Sequence, residues 1–223
     1  MYPAPVRLNP PMPLAVNQLQ LGPVGTNSYV IRASEQATAA VVIDPGADVD
    51  AIRSTLAQLA AECAGILLTH SHFDHFGALA ELESATGAPV WLPAGELDVF
   101  ARPLEYFPSF PVPAYEGAST PLTGGETVEL AGLSFQVTPV PGHSPGHLAY
   151  STEGCLFSGD VLFAGSVGRT DLPFGDWDAL LDSIRRLADA YPPETIVYSG
   201  HGPPTTLGAE LARNAFLAEL RAS

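Results

Sequence analysis

Three of the six histidines of this chain lie close together, in the segment T-H-S-H-F-D-H-F-G at positions 69–77. His70 and His72 are two positions apart, so in an extended segment their imidazoles face the same side. Asp74 and His75 follow where the chain is predicted to turn into a helix, and they can therefore point in another direction. This spacing predicts that one short segment supplies ligands to two adjacent metal ions.

Further candidate ligands lie elsewhere in the chain, each at the end of a predicted strand. His143 lies in P-G-H-S-P-G-H, Asp160 in F-S-G-D and His201 in Y-S-G-H-G. Side chains at the carboxyl ends of several strands converge on one edge of a sheet, as active-site residues do in α/β folds. Imidazole and carboxylate ligands suit zinc, iron or manganese better than calcium. The pattern therefore predicts a metal centre built from histidine and aspartate.

The elements that must position these residues alternate between strands and helices. Strands are predicted at 14–21, 28–33, 40–44, 65–69, 89–92, 127–130, 133–140, 148–151, 155–158 and 195–198. Helices are predicted at 48–63, 75–86, 178–191 and 206–221. Because strands and helices occur in two similar runs, we expect an α/β fold in which two sheets pack back to back with helices outside.

Two proline-rich segments stand apart from this pattern. Residues 1–13 contain five prolines and are predicted to form an extended tail, which leaves residues 14–223 as one domain. Segment 93–121 combines prolines with five aromatic residues. A loop of this length in a compact domain is usually a functional lid or binding loop. A packed insertion without function is the alternative, and the sequence leaves both open.

The charge of the chain limits its partners. Its 223 residues include 24 acidic and 9 basic residues, for a formal net charge of −15, and every basic residue is arginine. The absence of lysine excludes Schiff-base chemistry and a P-loop lysine. Phosphate neutralisation needs clustered basic residues, so we expect no nucleic-acid partner and no binding to anionic membranes.

Composition also indicates the compartment. No stretch approaches the ~18 apolar residues of a membrane span, and the N-terminus lacks the apolar region of a signal peptide. We therefore expect a cytoplasmic protein. Cys63 and Cys155 lie in apolar runs and are expected to be buried small side chains rather than a disulfide framework.

With these residues in view, T-H-S-H-F-D-H-F-G resembles the T-H-x-H-x-D-H signature of the metallo-β-lactamase superfamily. The resemblance extends from about residue 14 and includes V-V-I-D-P-G at 41–46, P-G-H at 141–143, F-S-G-D at 157–160 and S-G-H-G at 199–202. The segment F-A-G-S-V-G-R-T-D-L-P at 163–173 is similar to the short, single-domain glyoxalase II-like group and to the persulfide dioxygenases. The resemblance implies a four-layer αββα sandwich with the metals at one edge.

The resemblance also implies a role for each candidate ligand. The residues that match the first metal site are His70, His72 and His143. Those that match the second site are Asp74, His75 and His201, and Asp160 matches the bridging carboxylate. Asp44 matches a position beside the metals, although a D-P-G turn would also explain it. His147 matches no ligand position, and we expect it to pack or to hydrogen bond near the metals.

The activity that the resemblance implies is hydrolysis of a thioester of a small-thiol conjugate. Two divalent metal ions are expected, zinc first, with iron or manganese as alternatives. Water bound to two such cations has its pKa lowered from ~15.7 to about 7. We hypothesise that the resulting hydroxide attacks the acyl carbon, and that the thiolate leaves with little protonation because thiols have a pKa of about 8.5. Asp74 is the predicted catalytic residue, which orients the nucleophile and accepts its proton.

Arg169 is the candidate residue for substrate binding. Related hydrolases hold the thiol carrier with a lysine in G-C-G-K, and Arg169 stands in its place. Arg169 is expected to bind a substrate carboxylate bidentately, or else to form an ion pair with Asp171 or Asp176. Glyoxalase II has a further C-terminal helical domain for glutathione, which is not expected here. The pocket would then be completed by the 93–121 loop or by a partner subunit of a homo-oligomer.

Other functions remain open at this point. A mononuclear iron persulfide dioxygenase could use His70, His143 and Asp160 as a 2-His-1-carboxylate triad. A lactamase would need secretion, and the G-R-T-D segment points elsewhere. A metal-stabilised scaffold without activity predicts lost ligands, yet none is missing, and a nuclease predicts a basic groove.

Overall fold

The computed structural model describes residues 14–222, so the predicted proline-rich tail at 1–13 lies outside the described residues. Its first sheet has six strands in chain order, with β1 to β3 antiparallel and β3 to β6 parallel. These strands are β1 (Ala15–Leu21), β2 (Thr26–Arg32), β3 (Ala39–Ile43), β4 (Glu62–Leu67), β5 (Val90–Pro93) and β6 (Ser119–Leu122).

The second sheet also has six strands, in the order β14-β13-β10-β9-β8-β7, and only β10 and β13 pair in parallel. These strands are β7 (Thr127–Leu130), β8 (Leu133–Pro139), β9 (Leu148–Thr152), β10 (Cys155–Gly159), β13 (Ile196–Ser199) and β14 (Thr205–Thr206). A small hairpin lies between β10 and β13 in the chain and consists of β11 (Leu162–Phe163) and β12 (Ser166–Val167). The sequence analysis did not predict this hairpin.

Eight helices connect and cover the sheets in the described part of the chain. They are α1 (Val49–Gln58), α2 (Phe73–Phe76), α3 (Leu79–Thr86), α4 (Leu97–Ala101), α5 (Pro103–Tyr106), α6 (Trp177–Ala190), α7 (Leu207–Arg213) and α8 (Ala218–Ala222). Two short 3₁₀ turns are also present, at Ala94–Glu96 and Ala215–Leu217. Within residues 14–222, no helix combines the length and the apolar character that crossing a membrane requires.

The side chains form three apolar cores, because successive strand residues point to opposite faces of a sheet. Val30 and Val42 belong to the core that the first sheet shares with α1 and α3. Their neighbours Ile31 and Val41 belong to the core between the two sheets. A third core lies between the second sheet and α6 and α7. Helix, sheet, sheet and helix are therefore stacked in four layers, which confirms the predicted αββα sandwich.

Helix α6 shows how closely the local sequence determines some elements. Its apolar positions Leu180, Ile184 and Leu187 repeat at helical spacing and are buried in the third core. The Asp176 carboxylate accepts a hydrogen bond from the Ala179 N–H at 2.9 Å and so caps the amino end. The predicted bounds of 178–191 differ from the observed ones by one residue at each end.

Two predicted helices are shorter than expected. The helix predicted at 48–63 ends at Gln58, because Ala60 adopts a left-handed conformation with φ 48°. Cys63 therefore lies in β4 rather than on a helix face, and it is half-buried. The helix predicted at 75–86 is divided into α2 and α3, and at the break the Ala78 N–H donates to the Pro45 carbonyl at 3.0 Å and not to a carbonyl of α2.

The last part of the chain and the 93–121 segment also differ from prediction. The single helix predicted at 206–221 is interrupted at Asn214, whose side chain accepts from the Phe216 N–H and donates to the Ser166 carbonyl. The 93–121 segment is not one loop, because it contains α4, α5 and the beginning of β6. Pro103 opens α5 at a position where a helix needs no N–H donor, so proline does not prevent helix formation there.

Candidate metal centre

The seven predicted ligands meet at one edge of the sandwich. They lie just before or within α2, which follows β4, and just after β8, β10 and β13. Their ligating atoms fall into overlapping groups, and the atoms of each group lie within 4.8 Å of one another. The residues brought together are His70, His72, Asp74, His75, His143, Asp160 and His201. The predicted convergence of strand ends is therefore confirmed, and the assignment of each residue to a metal stays a prediction.

The first trio consists of His70, His72 and His143, and its nitrogen atoms face one another. His72 Nδ1 lies 3.0 Å from His70 Nε2 and 2.8 Å from His143 Nε2. Two nitrogen atoms bound to one tetrahedral zinc ion at 2.0–2.1 Å lie roughly 3.3 Å apart. The first trio is therefore spaced as three ligands of one metal ion would be.

The second trio consists of Asp74, His75 and His201 and mixes carboxylate with imidazole. Asp74 Oδ2 lies 3.6 Å from His75 Nε2 and 3.4 Å from His201 Nε2. This trio is more open than the first, since the His201 side chain is 31% exposed whereas His75 is fully buried. A cation here would have one side closer to solvent.

Asp160 lies between the two trios. Its Oδ1 is 3.4 Å from His75 Nε2, and its Oδ2 is 3.5 Å from both His143 Nε2 and His201 Nε2. Two of these atoms, His75 Nε2 and Asp160 Oδ1, are buried without a hydrogen-bond partner. Unpartnered buried polar atoms are costly, and a cation coordinated by both would satisfy them. The residues present therefore fit a two-metal site in which Asp160 is shared.

The two trios differ in their electrostatics. In the first, burial and neighbouring imidazoles lower the pKa of His70 well below its ordinary value, and they lower that of His72 to about 3. In the second, burial disfavours protonation, but adjacent carboxylates raise the pKa of His75 well above its ordinary value and that of His201 to about 9. His70 and His72 thus favour the neutral form that binds a metal, whereas the carboxylates around His75 and His201 favour positive charge in the place that a cation would take.

Asp44 holds one ligand of each trio in place. Its carboxylate accepts hydrogen bonds from the Thr69 N–H at 2.8 Å and from His75 Nδ1 at 2.9 Å. It also accepts from the Thr69 hydroxyl at 2.7 Å, and that hydroxyl oxygen lies 3.0 Å from His70 Nδ1. Such partners fix the orientation of a ligand histidine and the nitrogen that it presents to a metal. These contacts agree with the predicted place of Asp44 beside the metals.

His147 packs against the ligands without joining either trio. Its ring is buried and stacks on that of His70, with ring centroids 4.5 Å apart. Its Nε2 accepts a hydrogen bond from the Asp160 N–H at 3.1 Å. The structure therefore places His147 in the packing and hydrogen-bonding role that the sequence analysis expected.

The beginning of β2 supports the second trio, a role that was not predicted from the sequence. The Thr26 hydroxyl donates to Asp74 Oδ2 at 2.6 Å. The Asn27 side chain donates to the carbonyls of Ser199 and Gly202, both at 2.9 Å, which fixes the turn that carries His201. Polar residues that open a fully buried strand are the signal that could have indicated this role.

Glu96 is a further residue of the site that was not predicted from the sequence. Its side chain is buried, and one oxygen accepts from the Ser71 N–H at 2.7 Å. The other oxygen accepts from the Gly146 N–H at 2.8 Å and from the Ser144 hydroxyl at 2.5 Å. Ser71 lies between two ligands and Ser144 follows another, so Glu96 connects the 93–121 segment to the turns that carry the first trio.

One glycine gives the ligands room to approach each other. A Cβ at Gly200 would lie 2.0 Å from Asp160 Oδ1 and 2.6 Å from His75 Cε1. Real Cβ contacts are never this short, and both neighbours are buried. Gly200 is therefore required by close packing of the site and not by an unusual backbone conformation.

Aromatic residues of the 93–121 segment cover part of the site. Phe107 contacts the edge of the His72 ring, with centroids 5.6 Å apart, and Phe110 stacks on Phe73 at 4.2 Å. Phe73 lies between two predicted ligands in α2. The segment therefore packs directly against the metal centre, as either of the two interpretations of 93–121 requires.

Arg169 reaches the site through its backbone. Its carbonyl accepts from His143 Nδ1 at 2.7 Å, which orients that ligand. Its side chain is exposed and forms a bidentate ion pair with Asp171, at 2.7 and 2.8 Å. Asp176 instead caps α6. The ion-pair alternative is therefore observed with Asp171, and binding of a substrate carboxylate by Arg169 stays a prediction.

Comparison with known proteins gives consistent matches. The model of the metallo-beta-lactamase superfamily matches residues 21–201. The chain is 34% identical over 190 residues to hydroxyacylglutathione hydrolase GloC of Haemophilus influenzae, which covers 80% of this chain and 87% of that protein.

Among solved structures, BLEG-1 B3 metallo-beta-lactamase has a TM-score of 0.86 and 39% identity, covering 92% of this chain and 100% of that one. TTHA1623 in a di-iron-bound form has a TM-score of 0.81 and 40% identity, covering 91% and 100%. ETHE1 from Myxococcus xanthus has a TM-score of 0.76 and 29% identity, covering 92% and 85%.

Proposed function

Because the chain belongs to the metallo-β-lactamase superfamily, we propose that this metal-dependent hydrolase cleaves a thioester of a small-thiol conjugate. The observation that carries the proposal is the pair of ligand trios that share Asp160. The similarity to a hydroxyacylglutathione hydrolase over most of the chain favours a thioester among the possible substrates. The predicted cytoplasmic location, the absence of nucleic-acid or membrane partners and a homo-oligomeric state stay predictions.

The proposed site takes two divalent cations, with zinc as the first candidate and iron or manganese as alternatives. The first would be held by His70, His72 and His143, and the second by Asp74, His75 and His201, with Asp160 shared. Similarity to a di-iron-bound structure supports a pair of ions without deciding which metal this chain binds. When bound, such cations supply an activated water at neutral pH and stabilise negative charge on the substrate oxygen.

Asp74 is the residue that we assign to proton transfer. Its carboxylate is mostly buried, and the Thr26 hydroxyl donates to its Oδ2 at 2.6 Å, which fixes its orientation. Burial raises the pKa of Asp74. The neighbouring His75, His201 and Thr26 lower it by more, so the carboxylate is ionised and can accept a hydrogen bond. It would orient the attacking water and accept its proton, while the thiolate leaves unprotonated.

The test compares Asp74→Ala and His143→Ala with the unchanged protein on S-acetylglutathione and benzyl thioacetate, after elemental analysis of each preparation. We expect two metal ions per chain in the unchanged protein and loss of turnover in both variants. Asp182→Ala is the control, since this exposed side chain of α6 forms its ion pair with Arg185 of the same helix and not with a ligand. Full turnover in both site variants, or full activity after chelation, would overturn the proposal.

A persulfide dioxygenase is the second candidate, because the segment at 163–173 is similar to that group as well as to the glyoxalase II-like group. That reaction would use one iron held by His70, His143 and Asp160. One iron per chain with sulfite produced from a persulfide would favour it over the thioesterase.

The similarity to a B3 metallo-beta-lactamase adds a β-lactam to the assay. We expect the thioesters to be hydrolysed with the higher kcat/KM. A higher kcat/KM for the β-lactam would indicate that the substrate is a β-lactam and not a thioester.

A further inference from the structure

A cavity of about 320 Å³ opens beside the first trio, between α4 and residues 172–174. His72 is one of its lining residues, so a molecule in the cavity would lie beside a member of the first trio. Its other walls are mainly apolar, and the residues that form them include Val99, Phe107, Pro145, Leu172 and Phe174. Cavities of this size and character bind small molecules through buried apolar surface.

The charged groups of the cavity wall are both acidic and both already paired. Glu96 is bound by the Ser71 and Gly146 N–H groups. Asp98 pairs with Arg102 and accepts from the Tyr106 hydroxyl at 2.7 Å. Among the described residues that line the cavity, none is an arginine, and the sequence has no lysine.

This wall disfavours an anionic ligand. A glutathione conjugate brings two carboxylates, and no arginine or lysine lines the cavity to pair with them, in a protein whose net charge is −15. A carboxylate that loses water without gaining a cationic partner is costly to bury. An uncharged apolar group has no such desolvation cost, and its transfer out of water lowers the free energy.

Phe174 gives the outer wall an unusual residue. Its backbone is in the left-handed region at φ 71°, and its side chain is 71% exposed. A bulky residue is rarely found in this conformation, and strain of this kind concentrates at ligand-binding sites. The other non-glycine residues with positive φ in the described chain are Asp44, Asp48, Ala60, Ala131 and Glu153. Phe174 is thus the one aromatic among them, and it stands at the mouth of the cavity.

We propose that this cavity binds an uncharged, apolar group of the thioester substrate, with Phe174 as the residue that contacts it from the outside. The inference rests on the proposed function for the identity of the substrate as a thioester. It goes further by assigning the substrate to a class other than glutathione conjugates. The apolar group could belong to the acyl part or to the thiol part, and the two are separated by experiment.

The binding test uses the metal-loaded protein and two thioethers that cannot be hydrolysed, benzyl methyl sulfide and S-methylglutathione. Ligand-observed NMR titration gives both Kd values. We expect benzyl methyl sulfide to bind at least about tenfold more tightly. Equal or tighter binding of S-methylglutathione would overturn the inference, whatever the protein does with thioesters.

Phe174→Gly separates binding from structure, because the two effects have opposite signs. Glycine relieves the left-handed strain, so the Tm should rise by about 2–4 °C, while affinity for benzyl methyl sulfide should fall about tenfold. Ala60→Gly is the matched control, since Ala60 is also left-handed but lies after α1, away from the cavity. It should raise the Tm without changing the Kd. Unchanged affinity in Phe174→Gly would overturn the role of Phe174.

Kinetics then identify which part of the substrate enters the cavity. Benzyl thioacetate carries the aromatic group on sulfur, S-methyl phenylthioacetate carries it on the acyl side, and S-acetylglutathione is the reference. We expect one of the two aromatic thioesters to exceed the reference in kcat/KM by about tenfold or more. A faster reference overturns the inference, whereas no turnover of any thioester overturns the proposed function and leaves the NMR result to decide the cavity.

Discussion

The turns that carry the ligands and the wall of the neighbouring cavity are built in contrasting ways. Most of the ligands are buried, and several are held by hydrogen bonds from other elements, such as His75 by Asp44 and Asp74 by Thr26. The cavity wall is open and apolar, and it includes a strained, exposed aromatic at Phe174. Rigid groups at the ligand turns suit chemistry that every substrate shares, whereas a looser wall can distinguish one substrate from another.

The two regions are joined by one carboxylate. Glu96 lies in the segment that forms the wall, but its hydrogen bonds go to Ser71 and Gly146 in the ligand turns. Changes in the ligand turns should therefore reduce activity on all substrates equally, and changes in the wall should alter the ratio between substrates. A change at Glu96 should affect both.

The largest effect is expected from Asp160→Asn. The asparagine keeps the shape of the side chain but removes the charge that both trios share. We expect loss of bound metal and a fall in kcat/KM for every substrate well beyond the 10- to 100-fold typical of residues that only orient a ligand. Metal content and kcat/KM on two thioesters measure it. A variant that keeps both metals and most of its activity would contradict the shared role of Asp160.

Gly200→Ala should come next. Its methyl group would lie 2.0 Å from Asp160 Oδ1, and the buried neighbours cannot move aside. We expect the site to lose at least one metal ion while the fold survives, measured by elemental analysis and circular dichroism. Gly202→Ala is the control, because a Cβ there meets nothing within 4 Å although φ is 80°. Equal metal loss in both variants would show that the turn, and not contact with Asp160, is responsible.

Glu96→Gln should have an intermediate effect. A glutamine has one acceptor oxygen, so one of the N–H groups that Glu96 now binds would face an amide donor. We expect metal affinity to fall about 10- to 100-fold, measured by competition with a chelator, and the preference between substrates to change as well. Glu105→Gln, on the same segment but exposed and paired with Arg102, should alter neither. An unchanged substrate preference would show that Glu96 supports the ligand turns but not the cavity wall.

The smallest effect is expected from Arg169→Ala. Its ion pair with Asp171 is exposed and contributes little to stability. In a chain of net charge −15, loss of this cation should still weaken attraction of anionic substrates. We expect KM for S-acetylglutathione to rise about two- to fivefold at low salt, less at high salt, and KM for benzyl thioacetate to stay unchanged. A large rise at both salt concentrations would instead indicate direct binding of a carboxylate by Arg169.

Sequence patterns predicted most helices and strands, because buried apolar residues repeat with the period of each element. The apolar spacing of α6 and its cap at Asp176 are local features, and its predicted bounds were correct within one residue. Errors arose where distant contacts override local preference. The predicted 75–86 helix is divided where the Ala78 N–H binds the Pro45 carbonyl, and the predicted last helix stops where Asn214 binds Ser166, 48 residues away.

The sequence by itself determined that these histidines and aspartates meet at one place, because residues at strand ends converge once the strands form a sheet. The spacing of His70, His72, Asp74 and His75 is local and can be recognised without coordinates. Only the tertiary structure decided what holds those residues and what lines the neighbouring cavity. Glu96 binds partners that are 25 to 50 residues away, and the cavity wall combines α4 with residues 172–174. Such contacts produce no periodic pattern in the sequence, since they form only when the layers pack together.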